Sequence, residues 1–423
     1  MSDESRKGKP RVVEPQRRQG VIRFEMPEDK LPPTHAARVL WDVIGALDLT
    51  AFLDGVKAIE GTVGRQTLSP RMKLTLWLYA ISNGVGSARE IARLVGSDDG
   101  YRWIVGDLEV GHHTLSAFRV NHGAALEQLM TDILASLMHK GVLSLAVVAQ
   151  DGIRIRAAAT APSFRRLESL LECREQAALH FKATLANADD PALSHGQRAA
   201  REASARDFQR RVEEAISAVT ELQKTRRLSE KEARASTTDA EARVMKMADG
   251  GFRPAYNVCM ATAGSPLGGP RTIVGVQVTN VGSDMGTITP MLAEIERRTG
   301  QLPKTLLADA NHAAHDCIRA ATDAGVEVLV AVPKRSQSQH AGARADLDPA
   351  VVAWRERMTT DEAKAVYRAR ASLCELINAH LRSHHGVEQF LVRGLAKVTS
   401  VALLAAIASN VLQHASTCSG SWS

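Results

Sequence analysis

Between Ile288 and Pro333 the sequence alternates helix-like and strand-like segments, and this constrains the fold more than any other feature. Ile288 to Thr299 reads as an amphipathic helix closed by Gly300, and Thr305 to Ala308 as a short apolar strand ending in Asp309. Ala313 to Ala324 is a second helix closed by Gly325; Val326 to Val332 is a second strand, stopped by Pro333. Strands joined through helices pair in parallel, so an α/β sheet is expected. Just upstream, M-A-D-G-G-F-R-P-A-Y-N-V-C-M-A-T and Thr272 to Asn280 read as two strands. The loop Gly264 to Pro270 joins them as an antiparallel hairpin.

A further strand precedes these. The apolar run Leu145 to Ala149 stops at Gln150-Asp151-Gly152, and Ile153 and Ile155 then alternate with Arg154 and Arg156. Asp-Gly is a hairpin-turn pair, so Asp151 is expected at the end of a core strand, either as a turn former or as a placed carboxylate. Residues 163–240 are charged, Ala-rich and helical, broken at Asp189-Asp190-Pro191. Phe208, Val212, Ile216, Val219 and Leu222 make a narrow apolar stripe, which predicts an inserted helical hairpin or coiled coil. After a polar stretch from Lys334 to Ala345, Thr360 to Ser383 reads as one long helix carrying Glu375. Val398 to His414 reads as a final apolar helix.

The first 34 residues are polar and basic, with Arg6, Lys7, Lys9, Arg11, Arg17 and Arg18. They are expected as a disordered arm, either phosphate-binding or merely solubilising. Residues 35–140 read as all-helical. Ser87 and Glu90 form an S-x-x-E capping box, and His112 to Val120 opens another helix near Thr114 or Ser116. Arg89, Arg93, Arg102 and Arg119 give this region a basic face. It reads as a helix-turn-helix-like DNA module or as a plain helical domain with solvated arginines.

A formal charge of +6 and a pI near 9.1 suit a polyanionic partner. The 5 cysteines include no C-x-x-C pair, which argues against a zinc ribbon or disulfide framework and for a reducing compartment. The start lacks an apolar signal region, and the longest apolar stretch, Val401 to Val411, falls short of the ~18 residues of a membrane span. A soluble, cytoplasmic protein without a membrane partner is expected.

Three acidic residues stand where chemistry is possible. Asp309 ends a strand before a helix, where it serves either as a helix N-cap or as a ligand outside the carboxyl end of the sheet. Asp151 ends the strand expected to be central, and Glu375 lies on the helix after the sheet, or on a merely solvated face of it. Carboxylates from two strand ends and one helix can converge on two divalent ions. Hard oxygen donors suit Mg²⁺, with Mn²⁺ as a substitute, for in-line phosphoryl transfer.

The element order is that of an RNase H-like domain with an insertion after its first strand. Four pieces of text carry a closer resemblance: V-A-Q-D-G-I-R-I-R-A, A-R-V-M-K-M-A-D-G-G-F-R-P-A-Y-N-V, L-L-A-D-A-N-H, and Y-R-A-R-A-S-L-C-E-L-I-N-A-H-L-R followed by R-G-L-A-K-V. With S-A-R-E-I-A-R and H-H-T-L-S-A-F-R near the N-terminus, they make the chain resemble a DDE-type insertion-sequence transposase of bacteria over residues 35–412. The resemblance implies Asp151, Asp309 and Glu375 as the catalytic, metal-binding triad. It also implies DNA contacts by Tyr367, Arg370 and Arg382, with Arg89, Arg93 and Arg119 from the N-terminal helices. It further implies an RNase H-like catalytic domain over residues 141–415, binding of terminal inverted repeats and target double-stranded DNA, and a homodimer in the synaptic complex. A decayed copy that only binds DNA, or a nuclease on the same fold, are the alternatives. The sequence departs from the family's commonest text at His312, Cys374 and Arg382, and its Arg370-to-Glu375 spacing is one residue longer. On a regular helix that spacing leaves the two side chains about 140° apart.

Overall fold

A computed structural model describes residues 26–58, 66–106, 108–187, 193–226, 232–265, 267–333, 348–383 and 387–418. The Asp189-Asp190-Pro191 break, the stretch Lys334 to Ala345 and the arm up to residue 25 lie outside the described residues.

Up to His139 the described chain is helical. α1 (Ala36–Gly45), α2 (Pro70–Ser82), α3 (Ala88–Leu94), α4 (Asp99–Val105), α5 (His112–Asn121) and α6 (Gly123–His139) follow in order. The fold already holds the chain before residue 35: Leu31 is buried, and Glu28 accepts bonds from Arg38 and from Trp103 Nε1. α2 is apolar on every side and buried from Met72 to Ile81, as a central helix must be. Ser87 Oγ accepts the Glu90 amide at 3.4 Å, the forward half of the expected capping box; the Glu90 carboxylate turns to Arg93 instead. α5 begins at His112 rather than at Thr114 or Ser116, because Gly111 holds the extended N-cap conformation.

A mixed sheet follows. Its strands are β1 (Val147–Arg156), β4 (Arg243–Lys246), β5 (Phe252–Ala263), β6 (Thr272–Thr279), β7 (Thr305–Ala308) and β8 (Glu327–Val330); β2 (Phe164–Arg165) and β3 (Ala235–Ser236) form a separate ribbon. β4 and β6 both pair one side of β5, and from there the order runs β5, β1, β7, β8. β1 is antiparallel to β5 and parallel to β7, and β7 is parallel to β8.

The expected break at Asp151-Gly152 does not occur: β1 runs unbroken, with Asp151 opposite Met260 and Gly152 opposite Cys259. Gly152 serves close approach rather than a turn. A Cβ there would lie 2.4 Å from Asp284 Oδ1, and Asp284 is buried against the strand.

The ribbon β2–β3 carries the insertion out and back. α7 (Leu167–Ala186) and α8 (His195–Arg226) pack as an antiparallel pair. Leu170, Ala215, Val219 and Leu222 form its core with Ala233 and Ala235 at the base; of the expected stripe, Val212, Val219 and Leu222 are buried and Phe208 and Ile216 half-buried.

After β6 come α9 (Ile288–Thr299), α10 (His315–Asp323) and α11 (Pro349–Arg357). The long helix expected over Thr360 to Ser383 is interrupted. α12 (Asp361–Arg370), capped by Thr360 Oγ1 on the Ala363 amide, gives way to one π turn, Ala371–Glu375, before α13 (Leu376–Ser383).

α14 (Leu395–Cys418) is longer than expected. By length and composition its segment Leu395–Ala415 could cross a membrane, which corrects the reading that no such stretch exists. Its apolar surface is accounted for inside the protein, since it packs on β6 and on α1, α2, α5 and α6, with Val398, Leu403, Leu404, Ile407 and Val411 buried. Asn410 fixes its depth, accepting from the Ile273 amide and donating to the Ile273 carbonyl, each at 2.8 Å. One hydrophobic cluster therefore joins the N-terminal helices, a face of the sheet and α14. A buried ion pair reinforces the join: Arg298 on α9 bonds the Glu127 carboxylate and, at 3.1 Å, its carbonyl on α6.

Candidate active site

The sheet's second face forms its own small core. Ala149, Leu307 and Leu329, from β1, β7 and β8, pack against Ala363, Ala369, Leu373 and Cys374 of α12 and the π turn. Ala149 is the register partner of Leu307. Side chains alternate along a strand, so the residues two further on share their face. Those residues are Asp151 and Asp309. The parallel register thus carries both carboxylates to the same face of neighbouring strands, beyond the end of the apolar core.

Each carboxylate is held. Asp309 caps the short turn after β7, accepting the Asn311 amide at 2.9 Å and its side-chain amide at 3.0 Å. The fully buried His312 adds Nδ1 at 2.7 Å from Asp309 Oδ1. Burial pushes the Asp309 carboxyl up, but the bond and charge of His312 and the Asn311 bonds outweigh it, and the net shift is downward. Asp309 is thus an N-cap whose carboxylate shares the sheet face of Asp151. Asp151 accepts the Gly152 amide at 2.9 Å and Asn378 Nδ2 at 3.0 Å. Burial, opposed by Arg370 and aided by the negative charge of Asp309, raises its pKa. The two acids are therefore displaced in opposite directions, as expected of like charges sharing a desolvated site.

Glu375 is the most exposed of the three, at 64% of its side chain. Arg370 ties it to the strands: Nη2 lies 3.7 Å from Glu375 Oε1 and Nη1 lies 3.9 Å from Asp151 Oδ2. The π turn makes this possible. Its i→i+5 bonding widens the turn, which narrows the ~140° offset that a spacing of five has on a regular helix. Arg271 Nε donates to the Ser372 carbonyl at 2.7 Å, taking up a backbone group of the turn. Tyr367 lies one turn before Arg370, its ring 6.0 Å from the guanidinium carbon.

The donors are carboxylate oxygens, which suit hard divalent cations, and a positive charge already stands against two of them in Arg370. In donor chemistry and strand placement the site fits such an ion. Among the described residues, however, no three His, Cys, Asp or Glu side chains are close enough to enclose a metal as they stand.

The remaining residues named from sequence fall elsewhere. Arg382 lies on α13, its side chain outside the described residues. Arg89 and Arg93 are exposed on α3, and Arg93 pairs with Glu90. Arg119 does not belong to an exposed basic face. It is 5% exposed, its guanidinium 4.5 Å from the Trp77 ring and 2.7 Å from the Gly86 carbonyl, and burial pulls its pKa down to about 10.

One polar residue at the site and one on the opposite face of β1 were not singled out from sequence. Asn378, three residues after Glu375, could have been found as its neighbour one helical turn on. Asp284, on the loop after β6, had no local signal. It is buried beneath Gly152, accepting Asn257 Nδ2 at 2.6 Å and Arg154 Nη2 at 3.2 Å.

Two family models match this chain. Residues 25–121, the N-terminal helices up to α5, match one described as "Transposase domain (DUF772)". Residues 316–414, from α10 to α14, match one described as "Transposase DDE domain". The second match contains Glu375 and begins after Asp309. No curated protein and no solved structure matches the chain. Transposase domains thus flank a mixed α/β sheet that presents paired acids, which defines the class as a transposase. Together the two matches support an insertion-sequence transposase of the DDE type.

Proposed function

We propose that this transposase nicks the terminal inverted repeats of its own element and joins the freed 3′-hydroxyls to target DNA, using Asp151, Asp309 and Glu375 on an RNase H-like core. The observation that carries this reading is the shared register of Asp151 and Asp309 on one sheet face, with Glu375 drawn in through Arg370. The strand order β6, β5, β1, β7, β8, antiparallel through the first three and parallel thereafter, supports the RNase H-like assignment. Residues 141–415 are the catalytic domain and residues 35–140 the end-binding domain, with Arg89 and Arg93 facing DNA. The α7–α8 arm serves the synaptic homodimer.

The three carboxylates would hold Mg²⁺, or Mn²⁺ in its place. Bound there, such ions supply Lewis-acid stabilisation of charge on the phosphoryl oxygens. The chain's own work is positional. His312 and Asn311 fix the rotamer of Asp309, Asn378 and the Gly152 amide fix Asp151, and the π turn aims Glu375 and Arg370 at the strand ends. Tyr367, Arg370 and Arg382 share the helical segment that carries Glu375, which suits contact with DNA phosphates beside the acids.

The test is a cleavage and strand-transfer assay on DNA carrying the repeats that flank the gene, with Mg²⁺ or with EDTA. Asp151→Asn, Asp309→Asn and Glu375→Gln are each expected to keep end binding and lose cleavage. Cleavage retained by one of them removes that residue from the triad. Shifted but uncut DNA with either Mg²⁺ or Mn²⁺ would identify a protein that only binds, and cutting without joining a nuclease.

A further inference from the structure

We propose that Arg370 is an exchangeable counter-ion, competing with a divalent cation for Asp151 and Glu375. The inference rests on the reading of those acids as metal ligands and assigns this chain's own arginine a role towards that ion. The guanidinium faces one oxygen of each acid, at 3.9 and 3.7 Å; Arg370 and Asp151 are 19% and 21% exposed, so that contact is partly desolvated, while Glu375 is 64% exposed. Both distances lie within ion-pair reach but beyond good hydrogen-bond length. Arg370 therefore neutralises the acids without locking them. Against Asp151 the Coulomb attraction is stronger than in water, and a carboxylate oxygen facing the guanidinium is less available to a second cation. A divalent ion entering between Asp151 and Glu375 must move Arg370 aside.

The π turn gives this competition its sequence basis. A regular helix would send Arg370 and Glu375 to different sides at their spacing of five residues; the π turn narrows that angle enough for the side chains to meet at 3.7 Å. The π turn, which lets a spacing of five bring Arg370 to Glu375, thus places the counter-ion. The chemistry is electrostatic and reversible, and no bond is made or broken.

Mn²⁺ binding to the full-length protein without DNA, read from the loss of the free-ion electron paramagnetic resonance signal, tests this directly. Arg370→Gln is expected to bind Mn²⁺ on the order of tenfold more tightly than the parent, since a competing charge is gone. Arg370→Lys, which keeps a charge on a narrower head, should fall between them. It also guards against misfolding of the glutamine variant. Asp151→Asn is the control for the underlying reading. If Asp151→Asn loses Mn²⁺ binding but both Arg370 variants bind as the parent does, the exchange proposal is overturned and the metal site stands. If Asp151→Asn binds Mn²⁺ as the parent does, the metal assignment itself fails.

Discussion

Arg370 Nη2 lies 3.7 Å from Glu375 Oε1 although five residues separate them, because Ala371–Glu375 form one π turn inside an otherwise α-helical segment. A π turn behaves as one extra residue accommodated in a helix whose flanks keep their register. Deleting the exposed Ser372 should therefore convert the turn to regular helix and leave α12 and α13 in place. The melting temperature of that deletion is expected to be no lower than the parent's. Deleting Ala365 inside α12 would instead rotate the helix by ~100° per residue removed, turning Ala369 and Leu373 out of their core, and should lower it sharply. Equal losses from both deletions would refute the π-turn reading.

Asp151 couples stability to pH. Burial raises its pKa, Arg370 opposes this, and Asp309 adds to it, leaving the folded value above the unfolded one. For a raised acid, the stabilising contribution is complete below the unfolded value of ~3.9 and is lost as pH rises through the folded value. Ionised Asp151 therefore costs stability at neutral pH. Asp151→Asn should melt at or above the parent at pH 7, with the difference shrinking as the pH falls towards ~4. Thermal melts of both proteins across that range are the check; a variant less stable at pH 7 contradicts the assignment.

What was legible in the sequence followed from local periodicity. The strands around Thr305–Ala308 and Glu327–Val330, the helix closed by Gly300 and the buried stripe of α8 all repeat at the spacing their elements require. Asp309 does end its strand as the sequence suggests, whereas Asp151 lies in the middle of β1 rather than at its end. What escaped depends on contacts distant in sequence. Gly152 reads locally as half of a turn pair, and only the arrival of Asp284 from the far end of β6 makes it a strand glycine. Arg119 reads as one more arginine on a basic face, because Trp77 and Gly86, which bury it, belong to another helix and a loop. The pairing of Arg370 with Glu375 was hidden by assuming a regular helix.

Arg119 should therefore matter to stability. Arg119→Ala removes a desolvated cation–π contact on Trp77 and leaves the Gly86 carbonyl without its donor. A loss of about 2–3 kcal/mol is expected in urea titration, since a buried cation–π contact contributes up to about 2 kcal/mol and the loss of the bond to the half-buried Gly86 carbonyl adds to the cost. Arg93→Ala, removing only an exposed pair with Glu90, should leave the urea midpoint essentially unchanged. If the two arginines cost the same, Arg119 is not the buried strut described here.

Gly152 offers the sharpest test of the sheet. Its place in β1 opposite Cys259 requires no unusual backbone angle, so an alanine is tolerated by the strand itself. The obstacle is the neighbour: the new methyl would lie 2.4 Å from Asp284 Oδ1 and 3.1 Å from Asn257 Oδ1. Asp284 cannot yield cheaply, because Asn257 and Arg154 both hold it. Gly152→Ala should cost about 1–3 kcal/mol, the range for overfilling a packed interior. Gly86→Ala, where nothing lies within 4 Å of the added carbon, should cost little. Pairing Gly152→Ala with Asp284→Ala separates packing from backbone effects: the double variant should lose less than the sum of the singles, because the second change vacates the space the first needs. Strict additivity in that cycle would show that Gly152 is there for its backbone alone, as the turn reading requires.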